Sequence, residues 1–167
     1  ILVDKTPANA MHSNTMRRAS RVFSNAKFIH IIRHPASCLK SWVELDRNSR
    51  ALQGQPTKHE EEAWAELEEK WTSINANISD FVRFQTDATA SRSLKYEDLV
   101  CAPEAQLDLV CDFLGVARDK QMACPYETAA VESFKGHGER RRSIASTDPK
   151  LLKRSAIDPG QAHGWKT

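Results

Sequence analysis

The spacing of apolar residues changes several times along the chain, and each change marks an element. Phe28-Ile29-His30-Ile31-Ile32 is almost continuously apolar and rich in β-branched residues, which predicts a central parallel strand covered on both faces. Upstream, Ile1 to Val3 reads as the end of another buried strand. Thr6-Pro7 then supplies an N-cap and a proline at the first helical position of a helix reaching about Arg21. Asn25-Ala26 is a short connection. After the central strand, Arg33-His34-Pro35 opens a second helix, with Leu39, Trp42 and Val43 at i, i+3 and i+4 on one face. The order strand, helix, strand, helix is βαβ and predicts an α/β fold with a parallel sheet.

Asn48 to Lys58 holds Gly54, Pro56 and several polar residues, and reads as a mobile loop. Trp64, Leu67, Trp71, Ile74, Ile78 and Phe81 then recur at helical spacing, with Glu60, Glu61 and Glu62 favouring the N-terminal end of a long amphipathic helix. Ser93 to Tyr96 is a short strand. Pro103 to Leu114 is a further helix, with Leu107, Val110 and Leu114 inward and Gly115 as its stop. From about residue 123 the periodicity fades into a tail rich in Arg, Lys, Ser and Pro, expected to be irregular.

The 167 residues suit a single globular domain, and no apolar run approaches the roughly 20 residues that span a bilayer. With 24 basic and 22 acidic residues the net charge is only +2, which implies no general attraction to nucleic acid or to a membrane surface. Any affinity for anions must be local. Cys38, Cys101, Cys111 and Cys124 show no paired spacing, so they read as free thiols in a reducing, cytoplasmic setting rather than as a metal site.

The chemistry concentrates after the central strand. Open α/β sheets bind ligands at the carboxyl ends of their strands, and here a strand delivers Arg33 to that edge just before a helix begins. Free N–H groups and a partial positive charge at the helix start, beside a guanidinium, make a phosphate site. Ser37 and Ser41 share one face of that helix and can reach further phosphate oxygens. From pattern alone, an arginine salt-bridged at the sheet edge fits equally well.

At these residues the chain resembles the sulfotransferases that use 3′-phosphoadenosine 5′-phosphosulfate (PAPS). An arginine at a strand end followed eight positions later by serine, Arg33 and Ser41, is similar to their 3′-phosphate segment. Asp4-Lys5-Thr6-Pro7 resembles a signature upstream of that arginine in a group including heparan-modifying and bacterial enzymes. Leu94 to Val100, with Tyr96-Glu97-Asp98-Leu99, resembles the family's "YEDL" segment, and Phe113-Leu114-Gly115 its "FLG". Ile157-Asp158 and Trp165 look like the tail of the bacterial and polyketide-associated branch. The resemblance spans nearly the whole chain.

It implies a P-loop-like three-layer α/β fold, PAPS as donor, and transfer of a sulfuryl group to a hydroxyl or amine of a small molecule, glycan or polyketide, with no metal. Arg33 and Ser41 are then the 3′-phosphate ligands and Tyr96 lies against the adenine; without the family Tyr96 is equally a core tyrosine. Lys5 is the catalytic candidate, because a positioned cation stabilises charge that develops during transfer; otherwise it is a surface lysine. His30 shares the side of Phe28 and Ile32 and reads as structural, while His34 lies nearer the ligand edge. The Lys-Ser/Thr-Gly-Thr-like loop that cradles the 5′-phosphosulfate has no counterpart here. The chain therefore reads as the C-terminal two-thirds of such an enzyme, truncated at its N-terminus and expected to be inactive alone. Arg154 stands where bacterial relatives often carry a histidine, and Glu139 to Ser143 is either a basic nucleotide-closing loop or a solvated face. The competing reading is a non-catalytic nucleotide-binding or interaction module on the same fold. A kinase-like NTPase is disfavoured, since no GxxxxGK[ST] sequence occurs.

Overall fold

A computed structural model describes residues 2–5, 7–56, 59–85, 87, 89–126 and 155–166. The helix expected from residue 7 to 21 is divided into a 3-10 turn, Pro7–Met11, and α1, Ser13–Val22. The cause is a distant side chain. Asn77 donates its Nδ2 amide to the carbonyls of Ala10 and Met11, at 3.2 Å each, and those are carbonyls a continuous helix would use. His12 is accordingly extended, and α1 restarts with Thr15 N–H donating to the His12 carbonyl at 2.9 Å. Leu2 and Val3 form no strand and are 78% and 82% exposed, contrary to the buried strand expected there.

Asn25 adopts a positive φ of 57° in the connection to β1, a conformation asparagine tolerates better than most residues. β1 is Phe28–Ile32, followed by α2, Pro35–Leu52, and α3, Glu60–Gln85. β2, Ser91–Lys95, pairs with β1 in parallel, with Phe28 opposite Ser91 and Ile32 opposite Lys95. Among the described residues this is a two-stranded sheet, and Ile29 and Ile31 on one face of β1 remain 40% and 51% exposed. The near-continuous apolar run therefore does not signify a strand covered on both faces here. The opposite face is packed: Phe28 meets Phe81 of α3 edge to face at 4.8 Å.

α2 runs five residues into the expected loop at 48–58. Arg50 pairs with Asp46 one turn earlier at 2.8 Å, and no helix breaker precedes Gly54, whose φ of 64° ends the winding. Leu39 and Val43 are buried on the face toward α3, and the predicted stripe of α3 carries its packing, with Phe81 3% exposed.

α4, Tyr96–Cys101, occupies the end of the expected strand, its first turn favoured by Glu97 and Asp98. α5, Pro103–Leu114, stops at Gly115 in the left-handed region, as the sequence predicts. Cys111 is its buried residue, whereas Leu114, expected inward, is 39% exposed on the last turn. Short 3-10 turns follow at Lys120–Ala123 and Pro159–His163. The chain packs as two compact units, Ile1–Tyr96 with His163–Thr167, and Glu97–Ala162. Arg154 and the Glu139 to Ser143 cluster lie outside the described residues.

Candidate functional site

Parallel register builds the site. Because Ile32 stands opposite Lys95, the next residue of each strand emerges at the same carboxyl edge, and these are Arg33 and Tyr96. The Arg33 guanidinium carbon lies 4.7 Å from the Tyr96 ring centroid, a cation–π contact that holds the fork beside the start of α2. Pro35 occupies the first turn of that 18-residue helix, where its missing N–H costs nothing.

Two buried donors belong to the strand end and to the first turn of α2. Arg33 Nε and Ser37 Oγ are both shielded from solvent and have no hydrogen-bond partner among the described residues. Ser37 is 4% exposed. A buried, unsatisfied donor is costly, and an anion oxygen is a partner that suits both groups. Ser41 stands one turn further along α2, half-buried. Cys38, between the serines, has its thiol pushed above its ordinary pKa by burial, with the Arg33 charge acting in the opposite sense. The thiol is thus kept protonated and is a poor nucleophile.

His34 stacks on Trp165, with ring centroids 4.2 Å apart and planes 6° from parallel, and the Lys166 ammonium lies 5.2 Å from the Trp165 ring. Three expected residues, Arg33, Ser41 and Tyr96, therefore come from the two strand ends and the helix between them. Lys5 does not join their contacts: it is exposed in the extended segment ahead of the first 3-10 turn, where Asp4 accepts from Asn9 at 3.1 Å. His30 lies on the packed face of β1, where burial lowers its pKa against the opposing hydrogen bond with Asn75, in keeping with a structural part. Sequence reasoning weighed Ser37 and Ser41 as a pair and did not separate the buried hydroxyl from the half-buried one. It also missed the His34–Trp165 stack, for which no local spacing gives a signal.

Two shallow hollows lie elsewhere, along α3; one is lined by Glu60, Glu61, Trp64, Ala65 and Glu68, and its carboxylates repel an anion. Among the described residues no group of three or more His, Cys, Asp or Glu is gathered, and no helix is long and apolar enough to cross a membrane.

A parallel sheet with an arginine at a strand end, directly before a helix start, is an α/β arrangement whose geometry suits an anion. Residues 1–120 match the model of the sulfotransferase family, and the chain belongs to that family. Over 113 residues it is 33% identical to omega-hydroxy-beta-dihydromenaquinone-9 sulfotransferase Stf3 of Mycobacterium bovis, and equally to that of Mycobacterium tuberculosis. That match covers 65% of this chain and 28% of each relative, so the chain spans little more than a quarter of their length. Among solved structures, the sulfotransferase domain from the curacin biosynthetic pathway superposes with a TM-score of 0.80 at 32% identity, covering all of this chain and 56% of that one. The sulfotransferase domain of the Synechococcus PCC 7002 olefin synthase gives 0.76 at 29%, covering all of this chain and 51% of that one. The fold is the P-loop-like α/β fold of those domains.

Proposed function

We propose that this chain carries the nucleotide-binding part of a sulfotransferase that moves a sulfuryl group from PAPS to an acceptor hydroxyl or amine. The observation that supports this most directly is the pairing of Arg33 with Tyr96 at the strand ends, beside the start of α2. Arg33 and Ser41 bind the 3′-phosphate, and the buried Ser37 hydroxyl adds a third donor. Arginine suits the position because its fork takes two phosphate oxygens at once. Tyr96 lies against the adenine. The donor supplies the sulfuryl group, and the chain's part is to hold the nucleotide and orient its phosphate. Lys5 is the residue assigned to the transferring group, where a cation offsets developing charge.

The mycobacterial relatives are named for a hydroxylated menaquinone, and the solved domains for a natural-product pathway and an olefin synthase. A hydroxyl on a small molecule, glycan or polyketide is the acceptor class in keeping with these. The four cysteines form no disulfide among the described residues, which favours a reducing cytoplasm. We take residues 1–167 as one functional sulfotransferase-like domain, with nucleotide binding as its own activity and no transfer by these residues alone. The exposure of Lys5 favours, as a second reading, a binding module without transfer activity.

The test is calorimetric titration with 3′-phosphoadenosine 5′-phosphate, the desulfonated product. Arg33→Ala should weaken binding at least about tenfold, as expected when one partner of a charge-assisted pair is removed. Unchanged affinity would refute the 3′-phosphate assignment. Radiolabelled transfer from PAPS to a panel of hydroxyl acceptors, by a chain extended upstream, separates the readings: transfer that Lys5→Ala slows establishes the enzyme, and binding without transfer establishes the module.

A further inference from the structure

The residues around Arg33 are held from one side by the far end of the chain. Residues 163–166 belong to the same compact unit as the chain up to Tyr96. Within that stretch, Lys166 N–H donates to the His163 carbonyl at 2.8 Å, closing a turn that presents Trp165. The indole lies nearly parallel to the His34 imidazole, 6° between planes and 4.2 Å between centroids, and the Lys166 ammonium sits near the indole as well.

His34 is a sensitive place for such a clamp. It lies between Arg33 and Pro35 and is the N-cap residue of α2, with φ −48° and ψ 128°. The following proline confines it to extended conformations, so its backbone cannot relax into the helix. Holding the ring therefore holds the short link between the last residue of β1 and the first turn of α2. Arg33 occupies that link. An arginine side chain loses rotamer entropy when ordered, and a backbone already fixed leaves less to be lost on binding.

We propose that Trp165 is a positioning residue of the nucleotide site: by stacking on His34 it fixes the strand-end link that aims Arg33. It acts through Arg33 and touches no ligand itself. The inference rests on the reading that Arg33 binds the nucleotide 3′-phosphate, and the experiment separates the two.

Calorimetry with 3′-phosphoadenosine 5′-phosphate and with adenosine 5′-phosphate is carried out on the 167-residue chain, Trp165→Ala, Trp165→Phe, Arg33→Ala and the Arg33→Ala/Trp165→Ala double variant. Trp165→Ala should raise the Kd for the 3′-phosphorylated nucleotide about three- to tenfold, the range set by loss of an aromatic pair. Trp165→Phe, which keeps a stacking ring, should stay within about twofold of the parent. Preference for the 3′-phosphorylated nucleotide over adenosine 5′-phosphate should shrink in Trp165→Ala, whereas general damage to the fold would weaken both alike. In the Arg33→Ala background, Trp165→Ala should add almost nothing. If Arg33→Ala weakens binding and Trp165→Ala does not, or if the two losses simply add, the positioning role is overturned while the phosphate reading stands. If Arg33→Ala leaves affinity unchanged, the phosphate reading fails and this inference fails with it. Should circular dichroism show Trp165→Ala unfolded, His34→Ala removes the same stack from its other member, with the same outcomes deciding.

Discussion

Arg33 and Tyr96 meet at 4.7 Å because each is the first residue beyond its strand, and β1 and β2 run parallel in a register that ends on Ile32 and Lys95. The contact keeps the guanidinium over an aromatic face while its Nε stays buried and without a partner among the described residues. A cation so placed beside a helix N-terminus suits the anion proposed for this site.

Arg33→Lys should recover only part of what Arg33→Ala loses. Lysine restores the charge but neither the planar fork nor its preference for stacking on Tyr96. In titrations with 3′-phosphoadenosine 5′-phosphate the lysine variant is expected between the parent and the alanine variant. Full recovery would reduce the role of Arg33 to that of a point charge.

Ser37→Ala and Ser41→Ala should differ in the ligand-free protein. Ser37 carries a buried hydroxyl with no partner among the described residues, so its removal should leave stability unchanged or raise it by up to about 1 kcal/mol, a Tm increase of roughly 2–4 °C. Ser41 is half-buried, and its replacement should leave Tm near the parent value. With nucleotide present each should lose about 0.5–1.5 kcal/mol of binding. A clear drop in Tm for Ser37→Ala in the absence of ligand would show that its hydroxyl is satisfied.

His30 should make stability depend on pH on the acid side of neutrality. Burial lowers its pKa in the folded chain, and the Asn75 hydrogen bond only partly offsets this, so the unfolded chain binds the proton more readily. Stability is then fully present above the ordinary imidazole value of about 6.5, and it falls as pH drops from there through the lowered folded value. Urea denaturation at a series of pH values should show this slope in the parent, and His30→Gln should flatten it. A slope that survives the substitution assigns the titration to another group.

Gly115→Ala should cost about 1–2 kcal/mol, all of it from backbone conformation. The residue sits at φ 70° and ψ 35°, yet a Cβ there would meet no atom within 4 Å. Gly115→Asn should therefore cost less, since asparagine accepts the left-handed region more readily. Equal midpoints for all three proteins in urea would mean that the α5 stop relaxes without strain.

Much of the local structure was legible in the chain. The apolar run at 28–32, the stripe from Trp64 to Phe81 and the Gly115 stop each depend on neighbours within a few residues, where periodicity and caps carry the information. Arg33 at the strand end and the serines on one face of α2 follow from the same local rules. Their family resemblance added Tyr96, which no spacing connects to Arg33.

Long-range contact decided the rest. A helix signal from Pro7 to Arg21 contains no break, and it is Asn77, from α3, that captures the Ala10 and Met11 carbonyls and divides it. An apolar strand reads the same whether both faces are covered or one, and only packing leaves Ile29 and Ile31 exposed. The neighbour relation of Arg33 and Tyr96 arises from strand register, and that of His34 and Trp165 from where the tail docks. Sequence by itself determined which residues could bind an anion, because charge, hydroxyls and helix starts are local properties. Tertiary structure decided which of them meet, because parallel pairing and tail docking join segments whose separation along the chain leaves no periodic trace.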